Sequence, residues 1–262
     1  VTQHGPVISG NPEQGNGIAF KYTATEGPST WVDGLWQMLL AKNSEELIES
    51  QREWVDPCNN LVFVDTQGNA GYLCRGKVPI RSKANRWLPV PGWTGEHEWQ
   101  GHVPFEELAR SRNPETGYIV TANNKIVGDD YPHFIALSYS PEHRARRITE
   151  RLRALGEATV KDMAAIHTER VSVPARTYAR LLSRVTPLDE LSSQARDKLV
   201  VWDGSMDRDA VEPTIYSAFR WRLNRLLLQH ALGPLAHEAL AATGRGAPFH
   251  LRLLEARFVA MA

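Results

Sequence analysis

At 262 residues the chain is long enough for one large domain or two smaller ones. Its 42% apolar and 23% charged content excludes disorder, collagen and long coiled coil. Thirty basic and thirty acidic residues cancel, so no overall field draws the chain to nucleic acid or anionic lipid. No apolar run approaches the roughly 20 residues of a membrane span, and the N-terminus lacks the basic, apolar, small-residue succession of a signal peptide.

Taken in chain order, Gly17 to Ala24 (GIAFKYTA) alternates apolar and polar residues as a half-buried strand does. Trp31 to Ala41 and Glu45 to Trp54 carry helical spacing, and Asn43 with Glu46 supplies an N-cap and its N3 partner for the second. Leu61 to Asp65 and Ala70 to Cys74 are strand-like runs joined by Thr66-Gln67-Gly68-Asn69, which predicts a hairpin. The stretch from Gly76 to Gly117 is rich in proline and glycine. Trp87, Trp93 and Trp99 within it predict an ordered loop held down by buried aromatics. Gly117 to Thr121 (GYIVT) reads as a further strand ending at Asn123-Asn124.

After Ser140 the texture turns helical, which puts a boundary near residue 140. Ser140-Pro141 reads as an N-cap and N1 pair, Thr159 precedes a helical run, and Thr186-Pro187 repeats the start signal. Glu212-Pro213 opens the longest candidate, with Ile215, Ala218, Phe219, Leu223, Leu226 and Leu227 as an apolar stripe. Arg144, Arg146, Arg147, Arg151 and Arg153 share one predicted helix, as a phosphate-binding face or as a solvated, salt-bridged one.

Few chemical motifs survive inspection. G-x-S-x-G, S-x-x-K and H-E-x-x-H do not occur; His237-Glu238 begins the last, but Ala241 stands where its second histidine belongs. His97 and His102 lie near Glu96 and Glu98, yet without the regular spacing that aims ligands at one metal. No glycine-rich phosphate cradle follows a strand. Cys58 and Cys74 flank the predicted hairpin, so a bridge between them and a pair of free thiols both remain open.

Longer words carry more. In order along the chain stand TQHGPV (Thr2 to Val7), GLWQMLLAKN (Gly34 to Asn43), LVFVDTQGNAGY (Leu61 to Tyr72) and GKVPIR (Gly76 to Arg81). LPVPGWTGEHEWQG (Leu88 to Gly101), PFEEL (Pro104 to Leu108), NPETGYIVTANN (Asn113 to Asn124) and RARRI (Arg144 to Ile148) follow. In order and spacing this series resembles the penicillin acylase (penicillin amidase) family, densely over residues 1 to 152 and more loosely beyond, chiefly at VWDG (Val201 to Gly204) and the Glu212-Pro213 helix start.

The resemblance implies an α+β N-terminal nucleophile hydrolase, an αββα sandwich of antiparallel sheets between helices, made as a precursor that cuts itself into two chains. Residues 1–140 are then expected to be the strand and loop part of the core and residues 141–262 a helical segment. Such enzymes attack a linear amide with an N-terminal serine whose α-amine takes the proton; the amine's reference pKa of about 7.7–8 suits that task. Carried onto this sequence, Asn123 is expected to donate its side-chain amide to the oxyanion, and Arg147, with Arg146 as its neighbour in register, to orient the site electrostatically. His4, Gly5 and Pro6 match a structural word.

Val1 has neither hydroxyl nor thiol, and Thr2 stands inside a word that relatives carry mid-chain, so the nucleophile is expected to lie outside this chain. The chain is expected to be an internal fragment, inactive alone, completed by other precursor segments or a small chain. No cofactor is required. A structural calcium belongs to the resemblance, but where an aspartate ligand is expected shortly after Asp130-Tyr131-Pro132 the sequence has His133, Phe134 and Ile135. The implied substrate is a small-molecule amide: a β-lactam side chain, an acyl homoserine lactone or similar. The implied location is periplasmic or secreted. A non-catalytic binding or scaffold fragment of the same fold is the alternative.

Overall fold

A computed structural model of the chain describes residues 2–86 and 88–241 and divides it into two compact units, Val1–Ser140 and Pro141–Ala262. In the first unit, β1 (Val7–Asn11) and β2 (Asn16–Ala19) form an antiparallel hairpin, with Asn11 opposite Asn16. The strand expected to run to residue 24 stops at Ala19, and residues 23–25 form a 3-10 turn. Phe20 makes the last pairing contact, its N–H donating to Pro6 O at 2.9 Å, before the chain turns away. Gly5 makes that approach possible: at φ +99°, a Cβ there would sit 2.2 Å from Phe20 O.

Helices α1 (Trp31–Leu40) and α2 (Ser44–Glu49) follow; α1 keeps its predicted span to within a residue, whereas α2, expected over Glu45 to Trp54, ends at Glu49. The Asn43 side chain accepts from Glu46 N at 2.9 Å, and the Glu46 carboxylate reaches back to Lys42 N at 2.9 Å. Gly34 is the one fully buried position of α1, where it lies against the Trp54 ring. Val32, Leu35, Trp36 and Leu39 form an exposed apolar stripe along the outer face of α1.

The second sheet has the order β3-β4-β5, all antiparallel: β3 (Asn59–Val64), β4 (Ala70–Arg75) and β5 (Arg110–Arg112). The turn between β3 and β4 is built on Asp65, whose Oδ1 accepts from Gln67 N and Asn69 N at 2.9 Å each. Hydrogen bonds from Asn69 and Ser44 hold the Asp65 carboxyl well below the usual carboxylate range. In central strand β4, residues 71–74 are all buried because both faces are covered. Leu73 packs with Val78, Val103 and Leu108 on one side, while Tyr72, Cys74 and Ala109 meet Ile119, Ile126, Val127, Tyr131 and Ile135 on the other. Gly71 yields its side-chain space to Phe63, whose ring stands where a Cβ would be, at 2.2 Å.

Two expectations fail in this unit. Residues 118–121, expected as a strand, have no sheet pairing. The segment packs on the sheet face instead, with Ile119 against the cluster of Tyr72, Cys74 and Ala109. Nor is the long loop pinned by three tryptophans: Trp93 is 87% exposed, and Trp87 lies outside the described residues. Trp99 packs edge-on to His102 and under Lys21 Nζ at 5.1 Å. Backbone pairing does the tethering, through Ile80 N to Gly101 O at 2.9 Å and Val103 N to Val78 O at 2.8 Å.

The second unit comprises helices α3 (His143–Arg153), α4 (Val160–Thr168), α5 (Val173–Leu182), α6 (Glu190–Val201), α7 (Glu212–Leu232) and α8 (Ala236–Ala241) among the described residues. Thr159 and Asp162 close a capping box on α4. Two predicted starts shift. Helix α3 begins at His143, two residues after Pro141, with Glu142 as its N-cap. Helix α6 begins after Asp189, whose side chain accepts from Ser192 N at 2.7 Å, and not at Thr186-Pro187.

Of the predicted α7 stripe, Ile215, Phe219 and Leu223 pack against the core as expected, but the buried edge is shifted. Tyr216, Asn224 and Leu228 are buried while Ala218 and Leu226 are exposed, because Tyr178 of α5 and Trp202 after α6 draw the Tyr216 edge inward. The core gathers Ala175, Tyr178, Leu199 and Tyr216. The VWDG word joins α5 to α6: Trp202 Nε1 donates to Ser205 O at 3.0 Å and Arg176 Nε to Asp203 O at 2.6 Å.

Candidate functional site

Asn123 closes the unpaired segment that crosses the sheet face. It adopts φ +61°, a left-handed conformation that L residues avoid and that asparagine tolerates better than most. Its carbonyl accepts from Ser140 N at 2.7 Å, and the Asn124 side chain accepts from Ala122 N at 3.0 Å. Asn123 itself is exposed. The adjoining residues Thr121 and Asn124 line an open cleft of about 620 Å³ together with Tyr72, Arg110, Ile119 and Tyr131; Asn123 stands beside that cleft and is not part of its lining.

Side chains replace the ladder that this segment lacks. The Tyr72 hydroxyl donates to Asn60 Oδ1 at 2.7 Å, and Asn60 Nδ2 donates to Thr121 Oγ1 at 2.7 Å. Asn60 lies opposite Cys74, and Tyr72 is two residues from Cys74, so all three point to the face on which the segment rests. Burial raises the Tyr72 phenol well above its ordinary value, which keeps it protonated as a donor.

Arg147 belongs to the second unit, on α3. Its guanidinium grips Glu169 through two bonds, Nε to Oε2 and Nη2 to Oε1, both 2.8 Å, with Glu150 at 3.3 Å. Arg151 also approaches Glu169, at 3.5 Å. The Arg147 bonds hold the Glu169 carboxyl below its ordinary pKa, and the Glu169 bond raises that of Arg147. Arg146 is exposed on the same helix. Of the two openings for the arginine-rich helix, the salt-bridged one describes Arg147 and Arg151.

The histidines near Glu96 and Glu98 are dispersed. His97 Nδ1 meets Ser82 Oγ at 3.3 Å, His102 Nε2 lies 3.0 Å from Glu26, and Glu98 faces His4 at 3.4 Å and Lys21 at 3.6 Å. His4 also bonds Gly92 O at 2.8 Å, so the TQHGPV word stitches the N-terminal hairpin to the loop. Calcium needs six to eight oxygen ligands. Around Asp130-Tyr131-Pro132 the nearby carboxylates are engaged otherwise, Asp129 by Lys125 and Glu107 by His133. Among the described residues no group of three or more histidine, cysteine or acidic side chains is placed to hold a metal.

Cys58 and Cys74 are both free. The Cys58 residue is exposed overall, but its sulfur is sheltered over Gly76 and bonded to Lys77 O at 3.3 Å; desolvation pushes the thiol up to about 11.

Asn60, Tyr72, Thr121 and Glu169 escaped notice in the sequence. Asn60 had one faint signal, a polar residue on the inward face of a strand. Glu169 had none, standing 22 residues from Arg147.

A small antiparallel sheet whose central strand is buried on both faces, together with a helical unit, makes this an α+β chain. The fold matches that of a thermostable penicillin G acylase from Alcaligenes faecalis with a TM-score of 0.67 at 23% identity, over 91% of this chain and 44% of that one. Residues 1–258 match the model of the family described as penicillin amidase, and the chain belongs to that family.

Among curated relatives, the penicillin acylase 2 proenzyme of Pseudomonas sp. (strain SE83) is 40% identical over 231 residues, covering 86% of this chain and 29% of its own length. The acyl-homoserine lactone acylase QuiP of Pseudomonas aeruginosa is 25% identical over 259 residues, 89% of this chain and 30% of its own length. The chain thus spans about three tenths of the length of these relatives. Among the described residues no helix is long and apolar enough to cross a membrane.

Proposed function

We propose that this chain is part of an amide hydrolase that cleaves linear amides through an acyl-enzyme, with Asn123 as an oxyanion donor. The observation that carries this is the placement of Asn123 at the end of the GYIVTAN word, in a chain 40% identical to a penicillin acylase proenzyme. Its backbone is held from both sides, by Ser140 N on its carbonyl and by the Tyr72–Asn60–Thr121 bonds on the segment before it. A donor held rigid before reaction loses nothing to reorganisation when charge develops on the carbonyl oxygen.

In that reaction a hydroxyl oxygen from sequence outside this chain bonds to the amide carbon while its proton passes to the terminal α-amine. The tetrahedral intermediate then expels the amine, which leaves with that proton. Water repeats the sequence on the resulting ester and frees the acid. The relatives' names support penicillins and acyl homoserine lactones as the substrates to try. For Arg147 the reading keeps an electrostatic role in this reaction, with its guanidinium oriented by Glu169. Without the remaining polypeptide the isolated chain is inactive, and the whole protein works outside the cytoplasm.

The test uses the whole protein that contains this sequence and a panel of acyl p-nitroanilides. Release of p-nitroaniline by the parent, and its loss in Asn123→Ala at unchanged circular dichroism, is expected. A folded Asn123→Ala variant as active as the parent overturns the assignment.

A second reading, a binding or scaffold piece, is favoured by the exposed apolar stripe on α1. It predicts a whole protein that turns over none of these amides and binds a polypeptide through that stripe.

A further inference from the structure

We infer that Asn60 and Thr121 are positioning residues for Asn123, the two links of a side-chain strut that sets the oxyanion donor on the sheet. The inference rests on the role proposed for Asn123 and adds how that role is sustained.

Residues 118–121 have no partner strand, so the ladder that normally fixes a strand end is missing where the donor is mounted. A direct side-chain bond ties the segment to the sheet close to the donor: Asn60 Nδ2 to Thr121 Oγ1, 2.7 Å, across 61 residues of sequence. Asn60 is fixed in turn by the Tyr72 hydroxyl at 2.7 Å, and Tyr72 belongs to the buried central strand. The direction of the bonds is consistent, with the phenol donating to the amide oxygen and the amide nitrogen donating to the threonine hydroxyl.

Only Ala122 separates Thr121 from Asn123, and Ala122 is buried with its N–H held by the Asn124 side chain at 3.0 Å. Beyond the donor, Ser140 N clamps the Asn123 carbonyl at 2.7 Å. Asn123 is therefore gripped on its C-terminal side by a backbone bond and on its N-terminal side by the strut. A left-handed backbone at φ +61° sits in a narrow well, so a shift at Thr121 re-aims the side chain of Asn123. Displacing a catalytic group by about 1 Å can cost on the order of 100-fold in rate.

In the whole protein, Thr121→Val removes the hydroxyl with little change of shape, Thr121→Ser keeps it, and Asn60→Leu removes both bonds. Each is made alone and in the Asn123→Ala background, and kcat and KM are read on the acyl p-nitroanilide that the parent turns over best. Expected for Thr121→Val and Asn60→Leu is a fall in kcat of roughly 10- to 100-fold, with KM within about twofold, since substrate binding is untouched. Thr121→Ser is expected near the parent rate. In the Asn123→Ala background the same substitutions are expected to change kcat by less than about threefold, because the donor they aim is gone.

If Thr121→Val keeps the parent kcat while Asn123→Ala loses it, the strut is refuted and the oxyanion role stands. An equal fall in both backgrounds also refutes the strut, since the effect then bypasses Asn123. If Asn123→Ala itself keeps the parent rate, the oxyanion role falls and takes the strut with it. Asn60→Leu leaves the Tyr72 hydroxyl without its partner, so Thr121→Val, which disturbs less, decides between the outcomes if Asn60→Leu fails to fold.

Discussion

Replacing Asn123 by glycine and by alanine separates two jobs that an asparagine at φ +61° can perform, shaping the backbone and donating a hydrogen bond. Alanine in a left-handed position costs about 1–2 kcal/mol, and asparagine somewhat less. Asn123→Ala is therefore expected to destabilise the first unit by about 1 kcal/mol, a fall in Tm of roughly 2–8 °C for a domain of this size. Glycine removes the steric cost but loosens the unfolded chain by about 0.5–1 kcal/mol, so Asn123→Gly is expected to stay within about 1 kcal/mol of the parent.

Loss of an oxyanion donor is expected to lower kcat on the order of 10²- to 10³-fold in both variants, about 2.7–4 kcal/mol of transition-state stabilisation. With a reserve of roughly 5–15 kcal/mol, 1 kcal/mol of folding energy leaves nearly every molecule native, so the two effects separate. Thermal unfolding and p-nitroanilide turnover on the same preparations of the whole protein supply the comparison. A glycine variant with parental kcat and an alanine variant merely less stable would show that Asn123 only turns the chain, and the oxyanion argument would be wrong.

Three further outcomes are expected. Glu169, its folded pKa lowered by Arg147, contributes stability that is present above its unfolded value of about 4.3 and lost as pH falls through the lower folded one. Glu169→Gln should thus weaken the second unit by about 1.5–3 kcal/mol at pH 7, with the difference from the parent shrinking towards pH 3 in thermal melts; a gap independent of pH speaks against the pair. Alkylation of Cys58 by iodoacetamide, followed by peptide mass spectrometry, should be slow at pH 7 and rise towards a midpoint near 11; rapid labelling at neutral pH contradicts the sheltered sulfur. Gly71→Ala drives a methyl into the Phe63 ring, with the Cβ 2.2 Å from Cζ, and should cost about 1–3 kcal/mol by denaturant titration, relieved in part by Phe63→Leu.

The sequence determined the local elements whose cause is local. The Thr66-Gln67-Gly68-Asn69 connection, the Asn43 cap with Glu46 and the Thr159 start of α4 depend on residues within a few positions, and all three appear as predicted. It also carried the family, because words such as NPETGYIVTANN keep their order without reference to any contact. What it left undecided rests on distant partners. GYIVT has the alternation of a strand, but whether it joins a ladder depends on tertiary context, and here Ile119 packs on the sheet face instead.

The buried edge of α7 is shifted because aromatic rings from α5 and from the residues after α6 claim Tyr216, which no helical period records. Arg147 is legible as an arginine in a basic helix, yet its carboxylate partner comes from beyond α4. Asn60 reaches Thr121 only once two strands and a crossing segment have been stacked. Propensity and capping act over a few residues and are written in the chain. Edges, faces and side-chain struts exist only where the folded backbone brings remote residues within about 3 Å, the range of a hydrogen bond.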